Sequence, residues 1–478
     1  MEIRHRDLII DSENPFENCK LERRQYAHIL TTIVESYAEG FVLAINNKWG
    51  TGKTTFVKMW EKHLQNSDFM TMHFNAWEND FEMEPLTAML GELKKLIGKK
   101  EDKTFESLIE KGAVISKKII PAITKYFAKK YLGDEAVDMI TSSAEAATEI
   151  LNDEVNDYIN KKEKLEDFKT ELEIFIKDKS NDKPIVFIID ELDRCRPDYA
   201  VEVLEKVKHF FSVPGIVFVL SIDKEQLSYA IQGYYGSANI DTDEYLRRFI
   251  DIEYQLPDPS IEAYTEYLFE YYGFDEFFKK RSITNESRED KEEFIRFSTF
   301  IANEFHYTLR QQEKLFAQVR IILRTFYIKN SCFPDLVLML IHLKFFHENL
   351  FDNIKKKKLT TQSLVDKIES LFKFDFFDEN INRLVSVEAL LVYMYHKYIT
   401  KEKRLYGNSA SLFKKVDNSD EKEFLLSSKT IDIPESTFLH YNLEKHIEHI
   451  IKIEHKYYSM DLSFFLNKIE LLDNLEID

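Results

Sequence analysis

Short apolar runs alternate with longer amphipathic stretches over the first half of the chain. Five runs are apolar enough to form buried strands, at residues 41–45, 69–74, 185–189, 216–222 and 249–256. All but the second of these runs are bordered by glycine or proline. The stretches between them carry apolar residues at helical spacing, as in residues 21–38. Strands that alternate with helices are typical of a parallel sheet with crossover helices. We therefore predict an α/β fold with about five parallel strands.

The rest of the chain has a mainly helical pattern. No glycine occurs between Gly273 and Gly407, which favours packed helices with few tight turns. We expect a core over residues 1–260 with a helical insertion at about 85–180, a helical segment over 261–330, and a helical C-terminal domain over 331–478.

A glycine-containing loop follows the first apolar run and leads into a helical pattern. Its sequence, NKWGTGKTT, is close to the phosphate-binding pattern G-x-x-x-x-G-K-[ST]. Such a loop points backbone N–H groups at phosphate oxygens, and the following helix adds its positive end. Asparagine replaces the first glycine, and it tolerates left-handed backbone angles better than most residues. The expected nucleotide-binding residues are Asn47, Lys48, Trp49, Gly50, Thr51, Gly52, Lys53, Thr54 and Thr55.

Acidic residues directly follow the third apolar run. A phosphate loop needs a nearby carboxylate that holds the metal ion and another that activates water. We expect Asp190 to hold Mg²⁺ through water, together with the hydroxyl of Thr54, while Lys53 reaches the β- and γ-phosphates. Glu191 is the expected general base, and Asp193 is the alternative. The loop and the acidic motif together predict a nucleoside-triphosphate site, with ATP as the expected nucleotide.

Further motifs, in the same order along the chain, resemble the KAP family of P-loop NTPases. They are WG in the phosphate loop, FNAW at 74–77, DELDRC at 190–195, SID at 221–223, YLRRFI at 245–250 and LP at 256–257. The resemblance covers about residues 8–330. It implies an ATPase core of the AAA+/STAND type with strand order 5-1-4-3-2, followed by a helical lid over 261–330.

The region between the two nucleotide motifs departs from that family. Many members carry a pair of membrane-spanning helices there, but residues 107–132 of this chain contain six lysines and Pro121. Such a segment is too polar to span a bilayer. We expect a solvated helical face over a core, with a helix lying on an anionic membrane as the alternative.

A positive residue must compensate the charge that develops on the transferring phosphoryl group. The candidates are Arg247 and Arg248, before the fifth strand, and Arg310, which resembles a lid arginine of related ATPases. For each of them the alternative is a surface or ion-pair role. Arg194 is expected to be a structural partner of the acidic motif. Ser221 is the preferred contact for the γ-phosphate, with Asp223 as the alternative.

Composition limits the remaining classes of function. The 478 residues include 65 Lys and Arg against 84 Asp and Glu, a net charge of −19. Proteins that bind nucleic acid along their surface are usually basic, so this charge does not indicate nucleic acid as a partner, and it does not exclude a local basic patch. Three widely separated cysteines suggest neither a disulfide framework nor a zinc cluster. Neither a signal peptide nor a membrane-spanning run is recognisable, so we expect a cytoplasmic protein.

These observations predict an ATP-binding and ATP-hydrolysing switch or motor that works in a larger complex. The expected partners are further copies of the chain, an effector protein encoded nearby, or both. The family resemblance also implies a connection with bacterial defence against phage. The alternative is a scaffold or interaction protein whose nucleotide site is structural. The intact set of Lys53, Thr54, Asp190 and Glu191 favours hydrolysis.

Overall fold

The chain divides into two compact units, Leu8–Asp258 and Pro259–Asp478, which are described separately. The predicted lid and C-terminal domain both fall in the second unit, and their separation at residue 330 stays a prediction. The computed structural model describes residues 8–37, 39–81, 84–97, 102–116, 146–180, 183–210, 213–281, 287–327, 332–373, 380–404, 411–415, 422–431, 442–452 and 461–470.

The first unit is built on a five-stranded parallel sheet. Its strands are β1 (Phe41–Asn46), β2 (Thr71–Asn75), β3 (Ile185–Asp190), β4 (Ile216–Ile222) and β5 (Ile252–Gln255). They are ordered β2-β3-β4-β1-β5 across the sheet, and each neighbouring pair is parallel. The predicted α/β fold and its strand order 5-1-4-3-2 are therefore confirmed.

Helices cover both faces of this sheet. They are α1 (Arg24–Ser36), α2 (Lys53–Asn66), α3 (Pro85–Ile97), α4 (Lys103–Ser116), α5 (Ala146–Lys179), α6 (Pro197–Phe210), α7 (Lys224–Tyr235) and α8 (Thr242–Leu246). Every residue of β3 is buried: Phe187 belongs to the core on one face, and Val186 and Ile188 belong to the core on the other. A strand buried on both faces is continuously apolar, which explains why the sequence pattern revealed it.

The fifth strand is shorter than predicted. It covers Ile252–Gln255, whereas the apolar run predicted a strand over 249–256. Phe249 is buried, but its N–H donates to the carbonyl of Leu246 at 2.9 Å in the turn after α8. Its apolar character therefore reflects core packing and not strand pairing.

The predicted helical insertion is described in three helices, α3, α4 and α5. Residues 117–145 lie outside the described residues, so the amphipathic segment predicted at 107–132 is described only as far as Ser116. In the described part of the chain, no helix has both the length and the apolar character needed to cross a membrane.

The second unit is mainly helical, as predicted, and also contains a small hairpin. Strands β6 (Phe413–Lys415) and β7 (Lys422–Phe424) pair antiparallel. The helices are α9 (Ile261–Tyr271), α10 (Phe274–Arg281), α11 (Ser287–Glu304), α12 (Leu309–Arg324), α13 (Pro334–Phe346), α14 (Glu348–Lys355), α15 (Thr361–Leu371), α16 (Ile381–Arg404), α17 (Leu443–Lys452) and α18 (Leu462–Glu470).

Candidate nucleotide-binding site

The phosphate loop connects β1 to α2 and turns at its two glycines. Gly50 and Gly52 have φ angles of 78° and 81°, a region that residues with a side chain rarely adopt. Asn47 does not adopt a left-handed backbone. The reason that we gave for asparagine in place of the first glycine was therefore wrong. Its side chain instead donates to the carbonyl of Leu256 at 2.8 Å and accepts the N–H of Lys48 at 2.6 Å. Asn47 therefore fastens the loop to the end of β5.

The loop and the first turn of α2 present a row of backbone N–H groups. From Gly50 to Thr54, none of these groups has a hydrogen-bond acceptor among the described residues. The first turn of α2 contains no acidic residue and no side-chain cap, so nothing there neutralises the positive helix end. Consecutive N–H groups at a helix start form an anion-binding concavity. Thr54 is half-buried and Thr55 is exposed.

Lys53 is buried within the loop, with 8% of its surface exposed. Its ammonium group donates to the carbonyl oxygens of Asn47 and Lys48, the latter at 3.1 Å. Burial lowers the pKa of Lys53, and the negative charge of nearby aspartates, Asp193 first among them, opposes this shift. The lysine therefore lies between the loop and the acidic residues.

Three polar residues stand side by side at the carboxyl ends of the strands. Asn75 of β2 is in register with Asp190 of β3, which is in register with Ser221 of β4. Asp190 and Ser221 are buried, and the Asp190 Oδ2 and Ser221 Oγ atoms have no hydrogen-bond partner among the described residues. The Nε2 atom of His73 lies 4.0 Å from that Asp190 oxygen. A buried carboxylate oxygen without a donor is costly, so Asp190 fits a cation held directly or through water.

Glu191 adopts a left-handed backbone with φ of 60°, which is uncommon for a residue other than glycine. Its carboxylate forms an ion pair with Arg194 at 2.8 Å and accepts a bond from Asn75 Nδ2 at 3.4 Å. Its own N–H donates to Asp190 Oδ1 at 3.0 Å. Arg194 therefore contacts the acidic motif as a partner of Glu191.

Trp49 links the phosphate loop to the ends of β3 and β4. Its indole N–H donates to Asp193 Oδ2, and its backbone N–H donates to Asp223 Oδ2 at 3.0 Å. Both aspartates are buried, and burial raises the pKa of Asp193. The Arg194 guanidinium lies 6.0 Å from the Trp49 ring and 5.7 Å from the Trp77 ring. Trp49 thus contacts Asp193 through its side chain and Asp223 through its backbone, and its ring lies near an arginine.

A family model described as "KAP family P-loop domain" matches residues 23–326, which is more than half of the chain. The chain belongs to the KAP family. Its match includes the loop, the acidic motif and β5, so this KAP domain is a nucleotide-binding P-loop NTPase domain.

Two solved structures of the ORC2 protein of Aeropyrum pernix are also similar to the chain, one as ADPNP–ADP complexes and one in the ADP form. The first shares 13% sequence identity with the chain over 91% of its length, and the second shares 12% over 92%. Each match covers 94% of the ORC2 chain and has a TM-score of 0.29. A likeness of this size supports no conclusion about the KAP domain. No curated protein matches the chain.

The predicted arginines lie in different surroundings. Arg247 is exposed and forms an ion pair with Glu244 at 3.3 Å. Arg248 is half-buried. Arg310 is the second residue of α12 in the second unit and is exposed.

Sequence reasoning missed one residue that contacts the phosphate loop of the KAP domain. Arg23 is 2% exposed, and its guanidinium donates to the carbonyl oxygens of Gly52 at 3.0 Å and of Thr51 at 2.8 Å. The next residue, Arg24, is exposed. Two adjacent arginines at the start of a helix carry no local signal that tells which one is buried.

Proposed function

We propose that this KAP domain binds ATP with Mg²⁺ and hydrolyses it to drive a conformational switch or motor. The observation that carries the proposal is the convergence of two groups around Lys53: the acceptor-free N–H row of residues 50–54 and the carboxylate of Asp190. The N–H row and the lysine suit phosphate oxygens. The Thr54 hydroxyl and Asp190 suit Mg²⁺, which prefers few protein oxygens together with phosphate and water.

The roles proposed for the side chains follow from this arrangement. Lys53 would release its carbonyl partners in the loop and bind the β- and γ-phosphates. When bound, Mg²⁺ supplies compensation for the negative charge of the phosphates. Glu191 would orient and deprotonate the attacking water after turning away from Arg194, with Asp193 as the alternative base. Ser221, in register with Asp190, remains our candidate contact for the γ-phosphate.

Trp49 supports the proposal of a switch. Because it contacts Asp193 after β3 and Asp223 after β4, a displacement of the loop reaches the turns that follow two strands. We further propose that the KAP chain works with other copies of itself, with an effector protein encoded nearby, or with both. A role in bacterial defence against phage is proposed from the family resemblance alone.

Steady-state phosphate release from the purified chain, measured with and without Mg²⁺, tests the proposal. We expect release from ATP that requires Mg²⁺ and that Asp190→Asn reduces strongly, since the amide is a poorer partner for the metal ion. ATP that raises the melting temperature without any phosphate release would instead support the scaffold with a structural nucleotide site.

A further inference from the structure

A second buried cation, besides Lys53, lies against the phosphate loop. Arg23 directly precedes α1 and contacts the loop through the two carbonyl groups described above. The carbonyl of Gly52 also accepts the N–H of Phe56 at 3.1 Å, which is a first-turn bond of α2. Arg23 therefore holds the chain at the point where the loop becomes a helix.

These contacts orient the peptide groups that follow Thr51 and Gly52. The C=O and N–H of a trans peptide point in opposite directions, and the described residues contain no cis peptide. Because both carbonyls point toward Arg23, the N–H groups of Gly52 and Lys53 point away from it. Both N–H groups belong to the acceptor-free row, so the arginine fixes two of the donors proposed to bind phosphate.

The charge of Arg23 also reaches the loop. No carboxylate in the described part of the chain forms an ion pair with it. The negative charge of Asp258 raises the pKa of Arg23, but by less than burial lowers it. Burial lowers the pKa of Arg23 to about 10, so the group stays charged at neutral pH. A buried cation is costly without compensation, and carbonyl groups compensate it less well than an anion would.

We propose that Arg23 is a positioning residue for the triphosphate. It acts through the loop by fixing the peptide groups that carry the Gly52 and Lys53 donors, and it adds positive charge to the side of the loop opposite those donors. The inference rests on the proposed function, because it assumes that this loop binds ATP.

Three variants test this role. Arg23→Met removes the charge and both bonds, while Arg23→Lys keeps the charge but cannot form the two-pronged contact. Arg24→Met is the matched control, because it removes the same charge from the adjacent, exposed position. ATP affinity is measured with Mg²⁺ by calorimetry, at a temperature where melting without nucleotide shows each variant to be folded.

We expect Arg23→Met to weaken ATP binding by about 10- to 100-fold, since bonds to a charged group are among the stronger hydrogen bonds. Arg23→Lys should give an intermediate loss, and Arg24→Met should bind within about twofold of the wild type.

A purely structural arginine would lower the melting temperature but leave the ATP affinity of the folded variant unchanged, and that result overturns the inference. If Arg23→Met does not fold, Arg23→Lys decides: a severalfold loss of affinity supports the inference and wild-type affinity overturns it. A wild-type chain that does not bind ATP overturns the proposed function and this inference with it. If the wild type binds ATP and folded Arg23→Met binds it with the same affinity, this inference alone is overturned.

Discussion

Glu191 and Asp193 are two residues apart and lie in different surroundings. Glu191 is paired with Arg194 and with Asn75, both through side-chain atoms that can exchange partners. Asp193 is buried, and it accepts the indole N–H of Trp49. The first arrangement suits a carboxylate that moves to meet a water molecule, and the second suits a fixed link between the loop and β3.

We therefore predict that Glu191→Gln keeps ATP binding and lowers phosphate release by about 10²- to 10⁴-fold, because the amide cannot accept a proton from water. Asp193→Asn should reduce release less, since the amide oxygen can still accept the indole bond. Steady-state phosphate release and the ATP-dependent shift in melting temperature measure the two effects. If Asp193→Asn is far more damaging to release, Asp193 is the base.

Local motifs made most of these residues predictable, and long-range contacts account for the rest. A strand followed by a loop with Gly-Lys-Thr predicts the positions of Lys53 and Thr54 from the residues alone. The contact between Arg23 and the loop, and that between Trp49 and Asp193, join segments far apart in sequence. The first contact depends on how the segment before β1 packs against the loop after it, and the second depends on how the strands are ordered in the sheet. No local pattern encodes either of them.

At the level of elements, β3 holds the acidic motif in place through its burial. Phe187 lies between Phe74 of β2 and Phe218 of β4, with ring-centroid distances of 6.4 Å and 5.3 Å. All three side chains are buried. This aromatic row fixes the strand whose last residue is Asp190.

Phe187→Ala should lower the free energy of unfolding of the first unit by about 3–5 kcal/mol, because the lost ring leaves a cavity in a packed core. All three tryptophans of the chain, Trp49, Trp60 and Trp77, lie in this unit, so their fluorescence during urea unfolding reports on it alone. The control is Phe81→Ala, 82% exposed, with an expected change within about 0.5 kcal/mol. Equal effects of the two substitutions would contradict the packing described.

The elements differ in how well their sequences reveal them. Strands buried on both faces, such as β3 and β4, are continuous apolar runs and were predicted to within one residue at each end. The edge strand β5 alternates between half-buried and exposed residues, so the buried Phe249 displaced its predicted start. Hairpin strands β6 and β7 have three residues each, too few for a recognisable alternation.

At the scale of the whole molecule, the chain is acidic, with a net charge of −19. It nevertheless carries two adjacent arginines, of which Arg247 is exposed and Arg248 is half-buried. We predict that these arginines complete the ATP site of a neighbouring copy, because a guanidinium stays charged and can bind two phosphate oxygens. Phosphate release per molecule should then rise with protein concentration. A mixture of Arg247→Ala/Arg248→Ala protein with Lys53→Ala protein should recover part of the activity that each has lost.

The alternative is that both arginines serve the chain that contains them, as the pair between Arg247 and Glu244 suggests. Activity per molecule would then be constant across a dilution series, and the mixed variants would stay inactive. That outcome would remove the arginines from the proposed site and leave the phosphate loop unaffected.

The most direct test of the proposed ATP site is Mg²⁺-ATP binding to Lys53→Ala, measured by calorimetry beside the wild type. Lys58→Ala is the matched control, since Lys58 is exposed on the same helix. We predict that the wild type and Lys58→Ala bind ATP and that Lys53→Ala binds it at least about 100-fold more weakly, because the variant loses the charge that bridges two phosphates. Equal affinity in all three folded proteins would show that ATP does not bind at this loop.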